Sequence, residues 1–103
     1  MERIEKIQSM LLEKPMDSFL QHALALEYIK MGDDDKAKKL FETILTREPG
    51  YIGSYYHLAK LLERQQDEKG ASAVYEKGMK EATLAGDQHA YNELRSALEE
   101  LTF

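Results

Sequence analysis

The apolar pattern of this chain repeats at one fixed interval. Leu24 answers to Leu58, Ala25 to Ala59, Tyr28 to Leu62, Ala37 to Ala71, Leu40 to Val74, Phe41 to Tyr75 and Glu42 to Glu76. Stepped backwards by the same interval, Phe41 falls on Ile7, Ile44 on Met10, Leu45 on Leu11 and Pro49 on Pro15. A fixed period of about 34 residues marks a helical repeat array, whose units bury their apolar faces only by stacking on neighbours. The constraint predicts an all-α chain of helix pairs. A stack of helix pairs makes a groove, and a groove suits another protein better than it suits a small substrate.

Within the period, the spacing is helical. Ile4, Ile7, Met10 and Leu11 recur at three- and four-residue steps, predicting a helix over 2–14. Pro15 ends it, because the residue before a proline is pushed out of the helical region. Asp17 or Ser18 can cap a second helix that runs to about Met31 and is closed by Gly32. Asp33-Asp34-Asp35 opens a third, its carboxylates complementing the helix dipole. That triplet lacks the alternating ligands, glycine and distal Glu of a calcium loop. The third helix carries Ala37, Leu40, Phe41, Ile44 and Leu45 and stops before Pro49-Gly50. A fourth is predicted from Tyr51 or Ile52 to about Gln65, a fifth from Asp67 or Glu68, and a sixth from about Asp87. The sixth is out of step by two added positions, so that Tyr55 maps to Tyr91 and Leu58 to Leu94. By phase with Phe41, Ile44 and Leu45, the residues Ile7, Met10 and Leu11 are expected to be buried. The outer face of the sixth helix is expected to carry Glu93, Arg95, Glu99 and Glu100.

Composition narrows the chemistry. The chain has 103 residues, 43% of them hydrophobic and 32% charged, with a formal net charge of -5. That acidity argues against non-specific nucleic-acid binding, which draws its affinity from clustered positive charge. With no cysteine there is neither a disulfide nor a thiolate. The apolar stretches are far too short to span a membrane, and the first residues lack the apolar run of a signal peptide. A cytoplasmic protein is the expectation. His22, His57 and His89 open successive first helices, but no cysteine or acidic ligand completes a metal set by spacing. The serines have no Gly-x-Ser-x-Gly context, and no glycine-rich loop is present to cradle phosphate. Neither an enzyme nor a cofactor is predicted.

Leu24-Ala25-x-x-Tyr28, Ala37-x-x-x-Phe41 and Pro49 resemble the tetratricopeptide repeat, as do Tyr55-x-x-Leu58-Ala59 and Ala71-x-x-x-Tyr75 in phase with them. The pattern is departed from at Gln21, Leu62, Gln66, Gly78 and Thr83, where an aromatic, a tyrosine, the turn glycine, a residue equivalent to Ile44 and a proline would stand. The resemblance implies a right-handed superhelical stack of antiparallel helix pairs, about six helices in one domain. Residues 1–16 would form a half-repeat, 17–50 and 51–84 two repeats, and 85–103 a capping helix. Ala25, Ala37, Ala59 and Ala71 would then sit where paired helices approach closely.

In that family the first helices of each pair line a concave groove. By position, the groove here would present Phe19, His22, Leu26, Ile29 and Lys30, then Gly53, Tyr56, Lys60, Glu63 and Arg64, and finally His89, Asn92 and Ser96. The implied function is a protein-interaction module that holds a peptide or helix of a partner. Some members clamp a peptide's C-terminal carboxylate with Lys and Asn; His22 and Leu26 stand at the first two of those positions. Tyr56, Lys60 and Arg64 share one helix face. With Lys30 they suggest an acidic or carboxylate-bearing peptide, held with roughly micromolar affinity. The alternative is a self-assembling element that dimerises through its terminal helices.

Overall fold

Four helices of the protein start at an aspartate whose carboxylate caps them. The computed structural model describes residues 2–103. Among them are six α-helices and no strand: α1 Glu2–Glu13, α2 Ser18–Lys30, α3 Asp34–Arg47, α4 Gly53–Arg64, α5 Glu68–Ala85 and α6 Gln88–Thr102. Asp17 caps α2, its Oδ1 accepting from the Leu20 amide at 3.0 Å. Asp33 does the same for α3 through the Lys36 amide at 3.3 Å, so the acidic triplet is a helix start. Asp67 caps α5 through the Gly70 amide at 2.9 Å, and Asp87 caps α6 through the Ala90 amide at 3.0 Å. Each carboxylate satisfies an amide that has no partner inside the helix.

The turn after α2 passes through Gly32 at φ +81°. The equivalent turn after α4 passes through Gln66, which takes φ +64° without a glycine's freedom. Helix α4 begins later than the pattern predicts, at Gly53. Tyr51 and Ile52 are spent on a turn in which their carbonyls accept from the Ser54 and Tyr55 amides, both at 3.2 Å.

The helices divide into two units, residues 1–47 and 48–103. In the first, α2 packs against both α1 and α3. Its core holds Ala25, Ala37, Phe41 and Ile44, all fully buried, and a cluster of Ile4, Ile7 and Leu24 backed by Leu11, Ala23, Tyr28 and Leu40. The expected burial of Met10 is not found: it is 41% exposed, while Ile4 is buried. Helix α1 packs chiefly on one neighbour, so it buries a narrow stripe of Ile4 and Ile7; Leu11, also expected inside, is half-buried, and Met10 lies one position off the stripe. In the second unit α5 packs against α4 and α6, around Tyr55, Leu58, Ala59, Leu61, Leu62, Ala71, Tyr75, Ala82, Leu94 and Ala97. The four repeat alanines are each 0% exposed, as closely approaching helices require.

One departure from the repeat pattern, Gln21, finds its reason here. Tyr55 donates its hydroxyl to the Pro49 carbonyl. Gln21, where the aromatic would stand in the first repeat, donates its amide to the Pro15 carbonyl at 3.1 Å. The same acceptor, one repeat apart, is met by a different donor. Gln21 also accepts from Arg47, whose guanidinium reaches Ser18 as well, both at 2.8 Å. Burial, with the Glu81 charge adding to it, pushes the Tyr55 hydroxyl up to about 12.

Candidate functional site

The first-helix faces carry the residues expected to bind. On α2, Phe19 is 71% exposed and Leu26 and Ile29 are half-buried. His22 is half-buried, its ring edge-on to Phe41 at 5.6 Å between centroids. Lys30 is not a free cation. Its Nζ lies 3.1 Å from Glu27 Oε2, and the Arg3 Nε meets the same oxygen at 3.0 Å. The Lys30 hydrogen bond, helped by Arg3 and opposed by burial, holds the Glu27 carboxyl below its ordinary range. Sequence reading missed Glu27, because apolar periodicity does not register a buried carboxylate whose partner sits on another helix.

The second unit brings two faces together. A cleft of about 340 Å³ lies between α4 and α6, lined by Tyr56 and Lys60 on one side. His89, Asn92, Glu93, Ser96, Ala97 and Glu100 line the other. Tyr56, Lys60, His89, Asn92 and Ser96, assigned to one groove from register alone, therefore share one cavity. Gly53, Glu63 and Arg64 are outside its lining. Glu63 acts on it indirectly: its Oε2 lies 3.6 Å from Lys60 Nζ and accepts the Tyr75 hydroxyl proton. Burial, reinforced by Glu63, pushes the Tyr75 hydroxyl well up, so it stays a donor. The Lys60 ammonium also stands 5.7 Å from the centre of the Tyr56 ring. On α6, His89 Nε2 lies 3.5 Å from Glu93 Oε2, and Gln88 donates to Asn92 Oδ1 at 2.9 Å.

Two acidic residues are placed otherwise than expected. Glu93 and Glu100 line the cleft instead of the outer face of α6. Glu93 follows His89 by four residues and Glu100 follows Ser96 by four, so each shares its partner's face. The spacing was available in the sequence; the extra residues before α6 obscured which face turned inward. Of the expected positive strip the cleft lining holds Tyr56 and Lys60, with neither Arg64 nor Lys30. Lys60 is countered by Glu63, and the opposite wall adds two carboxylates.

His57 does not line the cleft; its ring packs edge-on to Tyr56 at 5.7 Å between centroids. Burial lowers its pKa, Glu93 opposing and Arg64 assisting. Among the described residues no three His, Asp or Glu side chains converge to hold a metal ion. No helix among them is long and apolar enough to cross a membrane.

Paired helices in phase, capped by aspartates and joined through fully buried alanines, define an all-α helical-repeat protein of the solenoid class. The tetratricopeptide repeat profile matches residues 20–51 and 52–82, and the chain belongs to that family. A tetratricopeptide repeat domain protein from Salinibacter ruber, solved in solution, is 36% identical. The match covers 85% of this chain and 89% of that one, with a TM-score of 0.82. A Bordetella parapertussis protein is 28% identical over 95% of this chain and 85% of its own, at a TM-score of 0.83. The fold is shared at 14% identity with PcrH, solved in complex with the chaperone binding region of PopD; 98% of this chain and 77% of that one align, at a TM-score of 0.88. No curated protein matches the sequence.

Proposed function

We propose that the protein is a cytoplasmic interaction module, without catalytic activity of its own, that holds a segment of a partner protein in the cleft between α4 and α6. The observation that carries this reading is the meeting of Tyr56 and Lys60 with His89, Asn92 and Ser96 across one cavity. Such a cleft offers an aromatic face for apolar area and a row of short polar groups for backbone hydrogen bonds. The α2 face, with Phe19, His22, Leu26, Ile29 and Lys30, is proposed as a contact surface in its own right; the 71% exposure of Phe19 supports it. PcrH, of the same fold, has been solved with the chaperone binding region of PopD.

The test is the affinity for a partner recovered from the protein's own cell lysate. Affinity should be roughly micromolar, as befits a small interface. Tyr56→Ala should weaken it roughly fivefold or more, the scale of a central aromatic contact, and should leave the circular dichroism spectrum unchanged. Unchanged affinity would sink the assignment and direct attention to the apolar groove of Met79, Leu84 and Tyr91 between α5 and α6.

A further inference from the structure

The sign of the charge in the cleft identifies what the bound segment must carry. Its lining holds one cation, Lys60, against two carboxylates, Glu93 and Glu100. Lys60 is already engaged, 3.6 Å from the Glu63 carboxylate behind it. Glu93 has His89 at 3.5 Å, but that pair is open to water, with side chains 56% and 89% exposed, and holds weakly. Glu100 has no ion-pair partner among the described residues. Asn92, Ser96 and Glu100 follow one another at four-residue steps, making a polar ladder along α6 that faces Tyr56 across the cleft.

Resting on the peptide-binding reading above, we propose that this cleft receives an arginine side chain of the partner segment. A guanidinium is planar and weakly hydrated; it stacks on an aromatic face and offers paired donors to a carboxylate. The cleft supplies the matching parts: the Tyr56 ring on α4, the Glu100 carboxylate on α6 and the Ser96 hydroxyl one turn before it. Lys60 stands at 5.7 Å from the ring, near the outer limit of a cation–π contact, and is drawn towards Glu63. A lysine would satisfy the carboxylate but not stack as well. A carboxylate would meet Glu93 and Glu100.

The experiment is a titration of the isotopically labelled protein, followed by amide resonances, with short end-blocked peptides identical except for a central Arg, Lys, Gln or Glu. The arginine peptide should bind tightest and perturb Tyr56, Asn92, Ser96 and Glu100; the glutamate peptide should bind weakest. Glu100→Gln should lower the arginine peptide's affinity roughly threefold and reduce its sensitivity to salt, as an exposed ion pair does. Glu93→Gln serves as a second variant should Glu100→Gln alter the spectrum of the free protein. A glutamate peptide that binds in the cleft as tightly as the arginine peptide would overturn the charge assignment while sparing the binding site. Arginine affinity indifferent to both substitutions would do the same. Cleft resonances that no peptide moves would overturn both.

Discussion

The exchange between Tyr55 and Gly78 shows how a single position is read wrongly in isolation. Gly78 stands in the middle of α5, where glycine weakens a helix by about 1 kcal/mol relative to alanine. A Cβ there would lie 2.8 Å from Tyr55 Cβ, which the backbone holds in place, and 2.9 Å from Leu94 Cδ1, the end of a side chain that is itself buried. In the first repeat the equivalent places hold Gln21 and Ile44. Volume has moved from one helix of the pair to the other, and both departures from the repeat pattern are one substitution. Gly78→Ala should therefore lose about 1–2 kcal/mol in urea denaturation, because overpacking outweighs the helix-propensity gain. A gain would mean the three helices can part without cost. Gln66 is the converse case. It holds a left-handed backbone, φ +64°, where the first repeat has Gly32. Gln66→Gly should stabilise by about 0.5–1 kcal/mol, the relief of strain exceeding the added freedom of the unfolded chain. A lower denaturation midpoint would show that the Gln66 side chain contributes more than its backbone costs. Both departures were visible in the sequence, but their compensations were not, since the compensating residue lies on another helix or in a dihedral angle.

At the scale of elements, what was legible was local. Pro15, the capping aspartates and Gly32 act within one turn of themselves, and the helix ends follow them. What was not legible depended on the number of neighbours. Periodicity gives α1 an apolar face but cannot say how wide a stripe is covered, so Met10 was expected inside and Ile4 was not singled out. Nor does it reveal the Glu27 carboxylate, which ties α1 to α2 through Arg3. Its folded pKa lies below the ordinary 4.5, with the Lys30 hydrogen bond the largest cause. A lowered folded value means the stabilisation is complete above the unfolded pKa and is lost as pH falls through the folded one. The wild-type melting temperature should thus fall as the pH drops through and below about 4.5. Glu27→Gln should start lower and fall less steeply over that range. Parallel curves would show that other carboxylates carry the acid sensitivity and that this bridge contributes nothing to α1 docking.

For the molecule as a whole, the terminal helices decide whether copies of this chain stack on one another. Exposed apolar side chains invite it: Leu12 is 85% exposed, Leu84 80% and Phe103 99%. Such residues scattered singly are ordinary on a protein surface, and each offers only about 1.5–3 kcal/mol even if fully covered. Two arginines oppose it. Ala37, fully buried where α3 meets its neighbour, falls on Arg3 of α1 when taken back by one repeat. Ala59, fully buried on α4, falls on Arg95 when taken forward by the longer step that carries Leu58 to Leu94. The Arg3 side chain is 69% exposed and Arg95 is exposed as well. At the points where inner helices approach through alanine, the outer helices present a guanidinium. A second copy packing in the repeat's own manner would have to desolvate that charge, at a cost of several kcal/mol. The protein should therefore run at its single-chain mass of 11.9 kDa across a concentration series in light scattering. Arg95→Ala is the cleaner variant, because Arg3→Ala also removes one of the two cations on Glu27. With Arg95→Ala the mass should rise with concentration, and combining it with Arg3→Ala should raise it further. A wild-type mass that climbs with concentration, unaltered by either substitution, would show association through a surface these arginines do not guard.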